Sequence, residues 1–79
     1  MHPLYKILER LDNAKIHFTL ARYRENMVMI CITVPGKRVE VEVSAEGEVE
    51  TSVFSGSESS VGGIEMVEKL IEENTDEAR

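Results

Sequence analysis

The sequence lacks the cysteines for an internal disulfide, because Cys31 is its only one. A lone cysteine is typical of a reducing compartment, and we expect a cytoplasmic protein. The chain also lacks a long apolar run, since no segment approaches the roughly 18 residues of a membrane-spanning helix. Its first residues, "MHPLYKILERLDNAK", contain no apolar core of a secretory signal. These absences argue against both a membrane protein and a secreted one.

Positive charge is scarce in the second half of the chain. Residues 39–79 contain two Lys or Arg and twelve Asp or Glu. Residues 1–38 contain seven Lys or Arg and three Asp or Glu. Phosphate-backbone binding requires cations, so we expect the acidic half to bind no nucleic acid. The basic residues of the first half are scattered, and Tyr23 is the only aromatic residue interleaved with them. The acidic half is compatible with a basic protein partner, or with a simple need for solubility.

Residues suited to catalysis or to metal binding are also few. His17 and Cys31 are expected on the same sheet face, but no Asn or Asp stands beside them to orient a nucleophile. The glutamates of the acidic segment would lie on exposed strands, where carboxylates rarely form a closed metal site. The segment "SGSESSVGG" has no Lys or Arg and does not match a phosphate-binding motif. We therefore predict no catalytic residue, no metal and no cofactor.

Two segments have the periodicity of amphipathic helices. Four apolar residues near the start recur at the i, i+3, i+4, i+7 spacing, after a proline suited to a first turn: Leu4, Ile7, Leu8 and Leu11. A second set near the end has the same character: Ile64, Val67, Leu70 and Ile71. These patterns predict helices over about 3–12 and about 61–73, the second capped by Ser59 or Ser60.

Between the helices, apolar and polar residues alternate with the period of β-strands. "MVMICITV" is apolar at both parities, which is typical of a central strand. The predicted strands cover about 15–23, 27–34, 38–44 and 48–54, and a Ser/Gly-rich loop covers 55–60. We therefore predict one α+β domain over 1–79, of order α-β-β-β-β-α, with a four-stranded antiparallel meander and both helices packed on one face.

The linkers between strands determine which side chains share a face. A three-residue linker at 24–26, with Asn26 left-handed, pairs Leu20 with Ile30. A three-residue linker at 45–47, with Gly47 left-handed, pairs Glu42 with Glu50. Like charges directly opposite each other are destabilising, so this hairpin raises the question of what offsets the repulsion.

The same parity predicts the side chains on the sheet face that the helices leave open. Apolar side chains border a group of acidic ones there, and together they form the predicted partner-binding set: Tyr23, Met27, Met29, Glu40, Glu42, Glu48 and Glu50. Methionines adapt to varied partners, and apolar patches rimmed by charge often mark protein contacts. The alternative is that these glutamates only improve solubility and discourage aggregation.

The segment "YRENMVMICITVPGKRVEVEVSAEGEVE" resembles a pattern in small bacterial proteins of the immunity type. The resemblance covers about 22–50 and depends on turn residues and on the charged residues after them: Pro35, Gly36, Gly47, Arg38, Glu40 and Glu42. The chain has Val39 where the pattern has an aromatic residue. The resemblance implies a non-catalytic immunity protein or antitoxin that blocks a basic partner, such as a nuclease toxin.

A second hypothesis stands beside that one. A chain of 79 residues has a marginal core, so association with a second copy is an alternative way to stabilise it. The protein would then be a homodimeric structural or chaperone-like module joined through Met27, Met29 and Cys31. A twin subunit's arginines and lysines would offset the glutamates in that case.

Overall fold

A computed structural model of the chain describes residues 1–75. Its elements are α1 (Pro3–Ala14), β1 (Phe18–Ala21), β2 (Met27–Val34), β3 (Lys37–Ser44), β4 (Val49–Ser55), β5 (Glu58–Gly62) and α2 (Ile64–Asn74). The strands form one antiparallel sheet whose spatial order is their order in the chain. Both helices contribute to one buried core with the sheet. The α+β class is confirmed, and the prediction of four strands is wrong because the sheet of residues 1–75 has five.

Helix α1 extends two residues beyond its predicted end. It begins after His2, whose Nδ1 accepts a hydrogen bond of 3.1 Å from the N–H of Leu4. It ends at Ala14, and its C-cap Lys15 takes the left-handed conformation with φ 60° and donates its N–H to the last turn of the helix. Asp12 and Asn13, at the predicted end of the helix, lie within its last turn. A left-handed C-cap satisfies the final carbonyl groups, and this cap determines the end of the helix.

The predicted register is confirmed. Leu20 lies opposite Ile30, and Glu42 lies opposite Glu50. Asn26 has φ 65° and Gly47 has φ 92°, so both occupy the left-handed conformation that the odd-length linkers require. Strands β2 and β3 are joined by a two-residue turn with Gly36 at φ 80°. The parity argument therefore assigns each side chain to the correct side of the sheet.

Strand β1 is shorter than the predicted 15–23. At its start, the N–H of Ile16 donates to the C=O of Leu11 over 3.0 Å, so the end of α1 uses residues expected in the strand. At its other end, pairing with β2 stops at Ala21. The chain then crosses to β2 through 22–26, a longer linker of unchanged parity.

Strand β5 replaces half of the predicted Ser/Gly-rich loop at 55–60 and the first two residues of the predicted helix. The chain turns at 56–57, where Gly56 has φ 62°, and then pairs along β4. Helix α2 consequently starts later than predicted, with Gly63 rather than Ser59 or Ser60 as its N-cap. The Glu65 carboxylate accepts the N–H of Gly63 at 3.1 Å and substitutes for a capping side chain.

Within the described range 1–75, twelve apolar side chains form the buried core between the helices and the sheet. They are Ile7, Leu11, Ile16, Ile30, Ile32, Val34, Val39, Val41, Val43, Val67, Leu70 and Ile71. Thr51 is the polar exception on this side, with no exposed surface and an Oγ1 that donates to the C=O of Gly63 at 2.9 Å. Leu20, expected to be covered, is 52% exposed, because it lies on the edge strand where neither helix covers it.

The first turn of α2 packs closely on the glycine at the end of β5, and a larger residue there would displace the Met66 side chain. A Cβ at Gly62 would lie 2.9 Å from Met66 Cε and 3.3 Å from Met66 Cβ.

Neither α1 nor α2, the helices of the described part of the chain, has the length and apolar composition needed to cross a membrane.

Candidate interaction surface

The sheet face opposite the helices, here called the outer face, is covered by no other element of residues 1–75. Its side chains come from alternate positions of all five strands: Thr19, Ala21, Met27, Met29, Cys31, Thr33, Arg38, Glu40, Glu42, Ser44, Glu50, Ser52, Phe54, Ser59 and Val61. Strands supply these side chains in straight rows, because successive residues point to opposite faces. An open face of five strands is a broad, nearly continuous surface.

An apolar strip runs along β2 on the outer face. Met27, Met29 and Cys31 are each half-buried, and the Cys31 thiol is free. Tyr23 lies beyond the end of β1 and is 73% exposed, so it is near the strip but outside the sheet ladder. The strip within the ladder therefore consists of two thioether side chains and a thiol, and Tyr23 of the predicted set lies outside it.

The facing glutamates are offset by arginines of the same chain. Arg24 Nη2 donates to both carboxylate oxygens of Glu42, at 3.0 and 3.1 Å. The Glu42 side chain is only 19% exposed, while that of Arg24 is 64% exposed. This bond answers the question that the hairpin raises: Arg24, from the linker after β1, offsets the repulsion between Glu42 and Glu50. The expected partner cation is not needed at Glu42.

Glu40 has a similar neighbour on its own strand. Arg38 Nε lies 3.9 Å from a Glu40 carboxylate oxygen, and the guanidinium carbon lies 4.8 Å from the centroid of the Phe54 ring. Stacking over the ring holds the cation in place. Glu40, like Glu42, therefore has an arginine of its own chain beside it.

Glu48 and Glu50 remain exposed at one end of the outer face, and within residues 1–75 no ion pair engages either of them. They line a shallow hollow of about 310 Å³, here called the acidic hollow. Its lining consists of Arg24, Met27, Glu42, Ser44, Glu48, Val49 and Glu50. Three carboxylates face one guanidinium there, so the hollow has a net negative charge with apolar side chains at its rim.

The β3–β4 turn positions the exposed edge of the acidic hollow. Ser44 donates its N–H to the C=O of Glu48 at 2.9 Å, and its Oγ accepts the N–H of Glu48 at 2.9 Å. Ser44 is itself buried, so these two hydrogen bonds connect the exposed Glu48 to a covered position of the sheet. The hollow brings together Met27, Glu42, Glu48 and Glu50 of the predicted set, and leaves Tyr23, Met29 and Glu40 outside it.

A second cleft, of about 330 Å³, lies where the start of α1 meets the ends of β2 and β3. His2, Tyr5, Arg22 and Asn26 line it together with apolar side chains. His2 Nε2 lies 3.1 Å from the C=O of Ala45, which ties the start of α1 to the β3–β4 turn. Sequence reasoning missed this cleft because its lining comes from separate segments that share no motif.

The outer face brings together no set of metal ligands. Among residues 1–75, no group of three His, Cys, Asp or Glu side chains is placed to hold a metal ion. His17 lies across from Thr33, whose N–H reaches its C=O at 3.5 Å, and is therefore diagonal to Cys31 as the register predicts.

No protein-family model matches the chain, and comparisons with curated proteins and with solved structures returned no match.

Proposed function

We propose that this protein is a non-catalytic binding module that docks a basic protein partner on its outer face. A lysine or arginine side chain of the partner enters the acidic hollow. The single observation that carries the proposal is the pairing state of the carboxylates: Glu42 is bonded within the chain, whereas Glu48 and Glu50 stand beside it, exposed and without an ion pair among residues 1–75.

The charge of the acidic hollow favours a cation of the partner. Arg24 offsets one of the three carboxylates, so Glu48 and Glu50 leave an excess negative charge beside half-buried Met27. A charge that meets its counter-charge in a partly desolvated contact contributes more than the same pair at an open rim. Electrostatic attraction of this kind also raises the rate of association with a basic surface.

The apolar strip supplies the other component of an interface. Met27, Met29 and Cys31 lie beside the acidic strands, and protein interfaces commonly combine an apolar centre with a charged rim. Methionine side chains repack around different surfaces at low cost. The strip thus supports tight contact without a preformed deep pocket.

A second copy of the chain is a less favourable occupant of this face. Stacking two outer faces would bring the glutamates of β3 and β4 toward their own copies, and burying like charges is costly. A basic partner offsets those charges instead. The resemblance to immunity-type proteins suggests the finer form of the proposal, in which the partner is a toxin such as a nuclease and the protein acts in the cytoplasm.

The test compares two double charge reversals. Glu48→Lys with Glu50→Lys changes the acidic hollow, and Glu72→Lys with Glu73→Lys makes the same change of net charge on the exposed side of α2. Wild type and both variants are immobilised, and proteins captured from an extract of the source cells are eluted with increasing salt. The affinity of each captured basic protein is then measured by titration.

We expect the hollow variant to lose at least about tenfold in affinity, about 1.4 kcal/mol, while the helix variant binds as wild type does. Wild-type binding should weaken as salt rises, because the contact is partly electrostatic. Equal binding by all three proteins would refute the acidic hollow as the binding site. Capture of no basic protein by the wild type would refute the proposal as a whole.

A further inference from the structure

Strand β5 is an edge strand without the features that normally prevent edge pairing. Natural edges are blunted by Lys, Pro, bulges or a covering element. The sequence of β5, "ESSVG", contains no Lys or Pro, pairs with β4 without interruption and has Glu58 only at its start. The opposite edge, β1, has only four residues and leads directly into the basic segment from Arg22 to Arg24. The two edges are therefore protected to different degrees.

The hydrogen-bond pattern shows which groups of β5 are directed to the open edge. The N–H of Ser44 donates to the C=O of Glu48, so even-numbered residues of β4 bond to β3 and odd-numbered ones bond to β5. The register pairs the odd-numbered residues of β4 with the even-numbered residues of β5. The N–H and C=O groups of Ser59 and Val61 consequently point away from the sheet.

We propose that β5 pairs with β5 of a second copy of the chain, antiparallel and with Ser60 on the twofold axis. Ser59 then lies opposite the second copy's Val61, and by symmetry Val61 lies opposite the second copy's Ser59. Each of these two pairs exchanges two backbone hydrogen bonds. Glu58 lies opposite Gly62, so no like charges face each other. The two five-stranded sheets become one continuous sheet of ten strands.

Side chains on both sides of the sheet suit this pairing. On the outer face, Val61 is 65% exposed and becomes a diagonal neighbour of its own copy across the axis, where the two valines shield each other. On the helix side, Lys37, Lys69 and Glu73 line a groove of about 290 Å³ beside Ser60, so the charged groups of the groove are two cations and one carboxylate. Glu58 of the second copy enters from that same side of the sheet, so opposite charges approach each other there.

This self-association uses neither the acidic hollow nor the apolar strip. It leaves the binding residues of both copies accessible on one enlarged outer face. The proposed function and the proposed dimer are therefore tested by different variants, and the failure of one does not imply the failure of the other.

The test uses sedimentation equilibrium from about 10 μM to about 1 mM, the range in which weak dimers form. Ser59→Pro removes an N–H that the β4–β5 ladder does not use, and Val61→Lys places a charge at the paired edge. The control, Thr19→Lys, places the same charge on the outer face of the opposite edge strand. Thermal unfolding shows whether each variant is folded. If Ser59→Pro does not fold, Val61→Lys alone decides the result.

We expect the wild type and Thr19→Lys to approach twice the chain mass of 8.9 kDa, while Ser59→Pro and Val61→Lys remain at 8.9 kDa. Amide hydrogen exchange gives a second readout: Ser59 and Val61 should become protected as concentration rises, whereas Ser60 is protected at every concentration. A wild type that remains monomeric at the highest concentration overturns the proposal. A dimer that persists in Val61→Lys also overturns it.

Discussion

The two leucines Leu11 and Leu20 provide a matched test of the packing. Leu11, in α1, has no exposed surface, whereas Leu20, on the same side of the sheet but on edge strand β1, is 52% exposed. Truncation of a fully buried leucine removes its transfer free energy and leaves a cavity, so Leu11→Ala should lower the free energy of unfolding by about 3 kcal/mol. Solvent already reaches Leu20, so no cavity forms there. Only about half of the Leu20 surface is buried in the folded protein, so its truncation removes little apolar burial. Leu20→Ala should therefore cost about 1 kcal/mol or less.

Thermal and urea unfolding measure this difference. For a domain of this size each kcal/mol corresponds to about 4–8 °C, so Leu11→Ala should lower Tm by about 12–24 °C and Leu20→Ala by about 8 °C or less. In urea, the midpoint should shift while the slope stays the same, because both variants change stability rather than the surface exposed on unfolding. Equal losses in the two variants would refute the reasoning, since they would mean that a helix covers Leu20.

Three smaller perturbations follow from individual contacts. Arg24→Ala should lower stability by up to about 1 kcal/mol, more at low salt than at high salt, because it removes the cation offsetting Glu42 on an exposed surface; urea titrations at two salt concentrations measure this. His2→Ala should cost about 1 kcal/mol or more, because it removes the α1 cap and the contact with the C=O of Ala45, and His2→Asn should cost less because asparagine keeps the cap; similar losses in both would contradict the capping role. Thr51→Val should cost about 1 kcal/mol, measured by Tm, because it removes one of the two hydrogen bonds to the Gly63 C=O and leaves the one from the Met66 N–H, and an unchanged Tm would count against the Thr51 bond.

The register could be predicted from the sequence because it depends on local features. Asn26 and Gly47 occur where odd-length linkers need a left-handed residue, and the valines of β3 alternate on one parity. These features are encoded within a few residues of one another. The placement of Glu42 opposite Glu50 followed from them without any knowledge of the helices.

Strand β5 could not be predicted from hydrophobic alternation, because Val61 is its only large apolar residue. Its stability comes from pairing with β4 and not from burial of its own side chains. One local signal did exist: Gly56 followed by Ser57 is a dipeptide common in two-residue hairpin turns. The composition of the segment favoured a loop, and that interpretation was wrong.

The detail of the candidate site needed the structure. The sequence placed the glutamates on one face, but the Arg24–Glu42 bond depends on the path of the 22–26 linker, which reaches across β2 to β3. The exposure of Leu20 depends on where α1 and α2 rest on the sheet. Neither feature follows from spacing along the chain, because each is a consequence of how separate elements pack.

Methyl NMR of the methionines tests most directly whether the outer face is the contact surface. Met27 and Met29 lie on the outer face, whereas Met66 lies on the helix side against Gly62. With methyl-labelled methionine and the captured basic partner, the signals of Met27 and Met29 should shift on titration while that of Met66 stays in place. A shift of the Met66 signal with Met27 and Met29 unchanged would contradict the account.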